Sequence, residues 1–236
     1  MPPYDFPAVR VVNHTITDMP IRVSALRTLG AFVNVFAAES FMDEIAAERG
    51  EDPVAFRLRQ LSDPRARAVI EAAAERFGWA GWERREGWGR GIGYAPYKGK
   101  GAYCAVIAEI EAEQDIRVRR LVIAVDVGEA VNPDGVVNQI EGGAIQAASW
   151  TLKEAVCFDR SRITSTQWDS YPILRFSEVP AVEVVLLDRP AEPPMGAGEA
   201  ASGPTAAAIA NAVHDAIGVR VRDLPLTPER IVAAMG

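Results

Sequence analysis

Residues 4 to 23 alternate apolar and polar side chains between interrupting prolines, a pattern that predicts an extended edge segment. Ser24 to Ala31 reads as a loop with a buried look. From Asn34 to Arg49 the period changes to that of a helix. Val35, Phe36, Ala38, Phe41, Met42, Ile45 and Ala46 fall on one broad face, and Gly50 supplies the stop. Asp52-Pro53 and Asp63-Pro64 each pair an N-cap acid with a first-turn proline. They predict a second helix through Leu61 and a third to Phe77, before Gly78. Trp79 to Gly93 is crowded with Gly, Trp and Arg, and reads as a loop packed on this helical cluster, with a stacking surface as the other possibility.

From Ala102 the pattern changes again. Tyr103–Glu111 and Val118–Val127 read as strands joined by a turn over residues 112–117. The second is β-branched and nearly all apolar, hence buried on both faces. Asn132-Pro133-Asp134-Gly135 opens a helix over Val136–Ser149. Glu154–Cys157 and Arg162–Thr166 read as a strand pair turning at Asp159-Arg160. Val182–Leu187 is a further strand, Thr205–Ile217 the last long helix, and a short helix starts at Pro228. Strands and helices mix without βαβ alternation, so the expected class is α+β. The expected division is residues 1–93, holding the edge segment, three-helix cluster and Gly/Trp loop, and residues 94–236, a mixed half-domain.

The chain has 236 residues, 49% hydrophobic and 24% charged, the balance of a globular chain with a real core. A net charge of -7 argues against a broad nucleic-acid surface. Cys104 and Cys157 form no metal-binding pattern and read as small buried residues; His14 and His214 lack ligand spacing. No apolar run spans a bilayer and no export signal precedes the first segment. The expected compartment is the cytoplasm or, by co-export with a partner, the periplasm or inner-membrane surface.

The candidate chemistry lies in Gly196-Ala197-Gly198-Glu199-Ala200-Ala201-Ser202-Gly203-Pro204. One carboxylate sits among small residues, between an apolar strand and an apolar helix. Its glycines allow a bulky ligand to approach the backbone. A dry pocket would raise the pKa of Glu199 and make it a general base near neutral pH. The plainer reading is a helix-capping Glu on a surface loop.

Four blocks in order resemble one family. They are Leu26-Arg27-Thr28-Leu29-Gly30-Ala31 through Ser40; Ser40-Phe41-Met42-Asp43-Glu44-Ile45-Ala46 through Asp52-Pro53 and Arg57-Leu58; Val125-Asp126-Val127-Gly128 with Asn132-Pro133 and Gln139-Ile140-Glu141-Gly142-Gly143; and Gly198-Glu199 with its following helix. Together they resemble the C-terminal part of the molybdenum-binding large subunit of the xanthine dehydrogenase and aldehyde oxidase superfamily, most of all the isoquinoline 1-oxidoreductase and nicotinate dehydrogenase type.

The resemblance implies an α+β molybdopterin-binding fold and hydroxylation of an aldehyde or N-heterocycle with oxygen taken from water. The implied cofactor is molybdenum on a pterin dithiolene, usually molybdopterin cytosine dinucleotide. Glu199 matches the carboxylate that takes the proton from the metal's hydroxide. The pterin supplies the sulfurs, so no metal ligand is required of the chain. Leu26, Arg27 and Thr28 match a loop that contacts the metal's ligands through backbone amides, with Gly30 giving room. Gln139 matches a glutamine near the pterin, and Gly196 and Gly198 belong to the same cofactor surface. Arg27 could instead pair with Glu39 or Asp43, Gln139 could be an exposed helix residue, and Asp126 reads as ordering a turn. Phe32, Tyr94, Tyr97 and Tyr103 are aromatic candidates for a substrate channel.

Other segments of that subunit have no counterpart here: a Gly- and Phe-rich loop, its glutamine, and a Met-Gly-Gln-Gly block. The expected partner is therefore a chain carrying the missing N-terminal half, docked on a large apolar surface, whether the subunit is split between genes or the chain truncated. A two-iron two-sulfur subunit is expected to carry electrons onward to flavin or cytochrome c. The rival readings are a catalytically silent fragment that stabilises a partner and an unrelated binding domain.

Overall fold

The computed structural model describes residues 2–23, 25–99, 101–113 and 115–236. The loop and turn expected around Ser24 and Gln114 thus each include one position outside the described residues. Among the described residues, six helices and four strands follow in the order α1 (Ala31–Glu48), α2 (Pro53–Arg59), α3 (Pro64–Phe77), β1 (Trp88–Pro96), β2 (Tyr103–Ala112), β3 (Ile116–Asp126), α4 (Pro133–Leu152), β4 (Ala181–Leu186), α5 (Ser202–Ile217) and α6 (Pro228–Ala234). The strands form one sheet in sequence order. β1, β2 and β3 are antiparallel, and β4 joins β3 in parallel after the α4 crossover. This is the expected α+β class.

The caps behave as their residue types dictate. Asp52 accepts the amides of Val54 and Ala55 at 3.0 and 2.9 Å, and Asp63 accepts that of Arg65 at 2.8 Å. Each such cap stabilises its helix by about 1 kcal/mol. Gly78 ends α3 in the left-handed region at φ 81°.

The side-chain alternation of β2 and β3 splits the core into two layers. Cys104, Val106, Ala108, Leu121, Ile123 and Val125 face α4 and α5. Ala105, Ile107, Val122 and Ala124 face α3 and the N-terminal helices. The register slips between Glu109 and Ile110, leaving Arg119 of β3 as an extra residue in a bulge.

The segment from Trp79 to Gly93 departs from the expected loop. Trp79–Gly81 is a single 3-10 turn, and β1 begins at Trp88. β1 also runs through residue 93, where the sequence suggested a boundary. Gly89, Gly91 and Gly93 share one face of the strand, and α5 lies directly on them. A Cβ at these positions would come within 2.1 Å of the Ala212 carbonyl oxygen, 2.3 Å of the Ala212 amide nitrogen and 2.3 Å of the Pro204 carbonyl oxygen. The glycines are a landing strip for a helix rather than a sign of a loop. α5 answers with small side chains and is buried from Ser202 to Val213. The tryptophans do not form an open stacking surface. The Arg90 guanidinium lies 3.9 Å from the Trp79 ring centroid and 5.0 Å from that of Trp82.

β1 is an edge strand, and side chains meet three of its outer hydrogen-bonding groups. Asp215 accepts the Arg90 amide at 3.0 Å, Asn211 donates to the Ile92 carbonyl at 2.9 Å, and Glu39 accepts the Tyr94 amide at 3.0 Å. Glu39, 1% exposed, also accepts Tyr4 Oη at 2.7 Å and Arg57 Nε at 2.9 Å. Asp43 pairs with Arg220 at 2.8 Å. The buried face of α1 therefore includes Glu39 and Asp43, whereas Phe41, expected on it, is 58% exposed. α1 also starts three residues earlier than its periodicity indicates, directly after the turn at Thr28.

Three smaller expectations change. Residues 154–166 hold only an isolated bridge between Phe158 and Ile163, and most of the stretch from Val156 onward is exposed. The N-terminal segment forms no strand in its described residues. Cys104 is buried, but Cys157 is exposed. No helix among the described residues is long and apolar enough to cross a membrane.

Candidate active site

Glu199 lies three residues before α5, whose position is set by the glycines of β1. Two donors from distant parts of the chain hold its two oxygens. The Thr28 amide donates to Oε1 at 2.6 Å, and the Tyr97 hydroxyl donates to Oε2. The adjacent helix N-terminus favours the same negative charge.

A lock on the other side of the loop holds the carboxylate's backbone. Arg27 Nε donates to the Gly198 carbonyl at 2.5 Å, and its NH2 group donates to the carbonyl and Oε1 of Gln139 at 2.9 and 3.2 Å. Its NH1 group donates to Gln146 Oε1 at 3.4 Å. Gln139, Gly143 and Gln146 form one stripe of α4, and the guanidinium passes over Gly143, 3.1 Å from where a Cβ would stand. Arg27 therefore does not pair with Glu39 or Asp43, which belong to Arg57 and Arg220.

The loop that delivers Thr28 adopts unusual backbone angles. Thr28 and Leu29 have φ of 78° and 54°, a region that costs a non-glycine residue about 1–3 kcal/mol. Its partners hold it there: Leu29 N donates to Leu26 O and Ala31 N to Thr28 O, both at 3.1 Å. The Thr28 side chain is buried, and its hydroxyl has no protein partner.

The electrostatics of Glu199 overturn the expectation of an unpaired carboxylate. The Tyr97 hydroxyl and then the Thr28 amide hold its pKa below the usual glutamate value. These outweigh the upward push of partial burial, with Lys98 and Arg27 adding to the lowering. Glu199 has few basic neighbours in sequence, but tertiary structure brings two cations to it. The Tyr97 phenol moves up, through burial and its bond to Glu199, so it stays a donor.

The other expected site residues divide. Leu26 is 72% exposed, and its side chain joins nothing at the site. Gly196 and Gly198 have ordinary φ, and a Cβ on either meets no close obstacle, Gln139 Oε1 at 3.5 Å from Gly198 being the nearest. Packing inside the chain thus gives no reason for these two glycines; the space beside them is open. Asp126 sits apart from Glu199, fully buried, accepting Arg65, Arg189 and the Gly128 amide. Burial alone would raise its pKa, but these donors bring it below the ordinary value. Of the four channel aromatics, only Tyr97 reaches Glu199. Tyr94 is buried in the helical layer, Tyr103 donates to Asp63 at 2.9 Å, and Phe32 packs edge-on against Trp150 at 5.3 Å. The sequence carried no signal for the Tyr97 contact, because the two residues are 102 positions apart.

An open groove of about 340 Å³ adjoins the site, lined by residues including Val127, Asn132, Gln139, Met195, Ala197 and Gly198. It lies at the start of α4, where Asn132 caps Gly135 at 3.0 Å.

A molybdopterin cofactor-binding domain matches residues 42–180, and a second such domain matches residues 1–61. The chain belongs to the molybdopterin cofactor-binding domain family. It is 46% identical to the B subunit of nicotinate dehydrogenase from Pseudomonas putida over 100% of this chain and 21% of that protein. It is 34% identical to the beta subunit of isoquinoline 1-oxidoreductase from Brevundimonas diminuta over 95% of this chain and 29% of that protein. The chain thus spans less than a third of these relatives' length. In structure it resembles quinoline 2-oxidoreductase from Pseudomonas putida 86, with a TM-score of 0.79 at 16% identity over 89% of this chain and 53% of that one. Aldehyde oxidoreductase from Desulfovibrio gigas gives 0.74 at 16% identity, over 89% of this chain and 41% of that one. These two likenesses establish the molybdopterin-binding domain's fold.

The residues present fit part of a pterin site. Gly196 and Gly198 leave unfilled space beside Glu199, Thr28 offers a buried hydroxyl without a partner, and the helix start at Asn132 suits an anionic group.

Proposed function

We propose that this chain is the Glu199-bearing part of a molybdenum hydroxylase, an oxidoreductase that hydroxylates an aldehyde or N-heterocycle with oxygen taken from water. The observation that carries the reading is the held carboxylate: Glu199, fixed from both oxygens, beside a groove with unfilled space, in a molybdopterin-binding family. The cofactor is molybdenum with molybdopterin, in its cytosine dinucleotide form. The loop around Leu26, Arg27 and Thr28, together with Gln139, Gly196 and Gly198, would hold it on this chain's side. When bound, the molybdenum centre supplies the redox chemistry of hydroxylation.

Glu199 is the general base. Each of its oxygens accepts one hydrogen bond and keeps a further lone pair, so the carboxylate can still take a proton. A depressed pKa keeps it ionised at neutral pH and therefore ready to accept. Covering the site excludes water and raises its basicity toward the working pH. Arg27 keeps the Glu199 loop against α4 through the Gly198 carbonyl.

The rest of the enzyme lies outside this chain. Val11, Val12, Ile16, Val23 and Leu26 are 54–72% exposed on a segment whose described residues form no strand or helix. These exposed apolar side chains are where the chain or segment carrying the other half of the molybdenum subunit docks. A two-iron two-sulfur subunit then takes the electrons, with flavin or cytochrome c as later acceptor.

The test is Glu199→Gln in the assembled enzyme, with molybdenum content measured alongside turnover. Loss of a positioned base costs roughly 100-fold or more in kcat with metal retained. Turnover within about threefold of the unsubstituted enzyme, at equal metal content, would defeat the assignment.

A further inference from the structure

The fold brings the end of β1 beside the start of α5. Gly93 lies against the Pro204 carbonyl, so the strand's C-terminal end and the helix's first turn meet. Tyr97, one residue past β1, therefore falls opposite Glu199. Its backbone is held on both sides, with Tyr97 N donating to Ala102 O at 3.0 Å and Gly101 N donating to Tyr97 O at 2.8 Å. A Cβ at Gly101 would stand 2.7 Å from that carbonyl oxygen, so this tight turn requires glycine. The Lys98 ammonium lies 4.9 Å from the Tyr97 ring centroid.

A carboxylate held by one donor still turns about its last bond, because that torsion is broad. A second donor on the other oxygen removes this freedom. We infer that Tyr97 is a positioning residue for Glu199: its hydroxyl, with the Thr28 amide, clamps the carboxylate in one orientation and stabilises its anionic form. The inference rests on the base role proposed for Glu199. Loss of the Tyr97 hydroxyl leaves a looser carboxylate that holds its proton more readily.

The experiment compares Tyr97→Phe with the unsubstituted assembled enzyme across pH. The ring remains, and the melting temperature checks that the fold does too. The expected result is a fall in kcat of about tenfold, the usual scale for a hydrogen bond to a charged group, with KM within about twofold. The acid limb of kcat/KM moves to higher pH, because an unclamped carboxylate protonates sooner. Replacing Tyr97 by 3-fluorotyrosine, a stronger donor, moves that limb the other way. An independent readout is the carboxyl carbon titration of Glu199 by NMR in this chain, assigned by difference from Glu199→Gln. It shifts upward in Tyr97→Phe. An unmoved titration and an unmoved acid limb in both Tyr97 variants overturn the clamp. The two ideas fail separately. If Glu199→Gln keeps its turnover while Tyr97→Phe still lifts the titration, the clamp stands and the base role falls.

Discussion

Gly91→Ala is the sharpest test of how this fold places its site. Intrinsic preference favours the substitution, since glycine inside a regular element costs about 0.5–1 kcal/mol relative to alanine. The structure reverses that sign. The new methyl would stand 2.3 Å from the Ala212 amide nitrogen, 2.4 Å from the Ala208 carbonyl oxygen and 2.7 Å from the Asn211 carbonyl carbon. All three are backbone atoms of a buried helix, so no side chain can swing away. Overpacking of a rigid core costs roughly 1–3 kcal/mol and sometimes more. With three backbone contacts below 3 Å, the upper end applies, a loss of about 3 kcal/mol. At about 2–4 °C per kcal/mol for a chain of this size, the melting temperature falls by roughly 6–12 °C. Gly142→Ala is the control. It lies on an exposed position of α4, and its Cβ would meet nothing within 4 Å. There the same change gains about 0.5–1 kcal/mol. Thermal melts and urea titrations of both variants decide the matter. A Gly91→Ala chain that melts at or above the original temperature would show that α5 does not rest on the β1 backbone, and the account of how Glu199 is placed would fail with it.

Two further outcomes follow from the buried charges. Glu39→Gln leaves Arg57, 0% exposed, with only Asp43 at 3.8 Å as a counter-charge and loosens the outer edge of β1, a loss of about 3 kcal/mol in urea unfolding. Asp126 contributes to acid sensitivity. Its folded pKa is depressed, so its contribution is complete above the unfolded value of about 3.9 and drains away as pH falls through the folded one. Urea midpoints should drop below about pH 4 in the original chain and drop less in Asp126→Asn. That variant is also weaker at neutral pH by roughly 2–3 kcal/mol, because Arg65 and Arg189 are partly exposed and keep some hydration.

Much of the local structure was legible because its causes are local. The Asp-Pro pairs at 52–53 and 63–64 begin helices, Gly78 ends one, and the β-branched run to Asp126 is a buried strand. These depend on backbone geometry and side-chain type within a few residues. The failures share one cause. Gly89, Gly91 and Gly93 were misread because a glycine in a loop and a glycine under a helix look alike until the helix is present. Phe41 and Glu39 exchanged places because a buried carboxylate is tolerable only when its partners, here Arg57, Tyr4 and the Tyr94 amide, arrive from elsewhere. Glu199 was misjudged in the same way. The short-range sequence offers it no donor, while the fold supplies two, the Thr28 amide and the Tyr97 hydroxyl, and sets Arg27 on the neighbouring Gly198 carbonyl.

The sequence by itself determined the α+β class, most element boundaries, the family and the carboxylate proposed here as the base. Each follows from residue type, local spacing or ordered motifs. Tertiary structure alone decided that β1 is a strand, that Arg27 locks α4 to the Glu199 loop, and that Tyr97 reaches the carboxylate. Those are contacts between residues up to 171 positions apart. They exist only once close packing has fixed the distances, and hydrogen bonds and ion pairs act over a few ångströms.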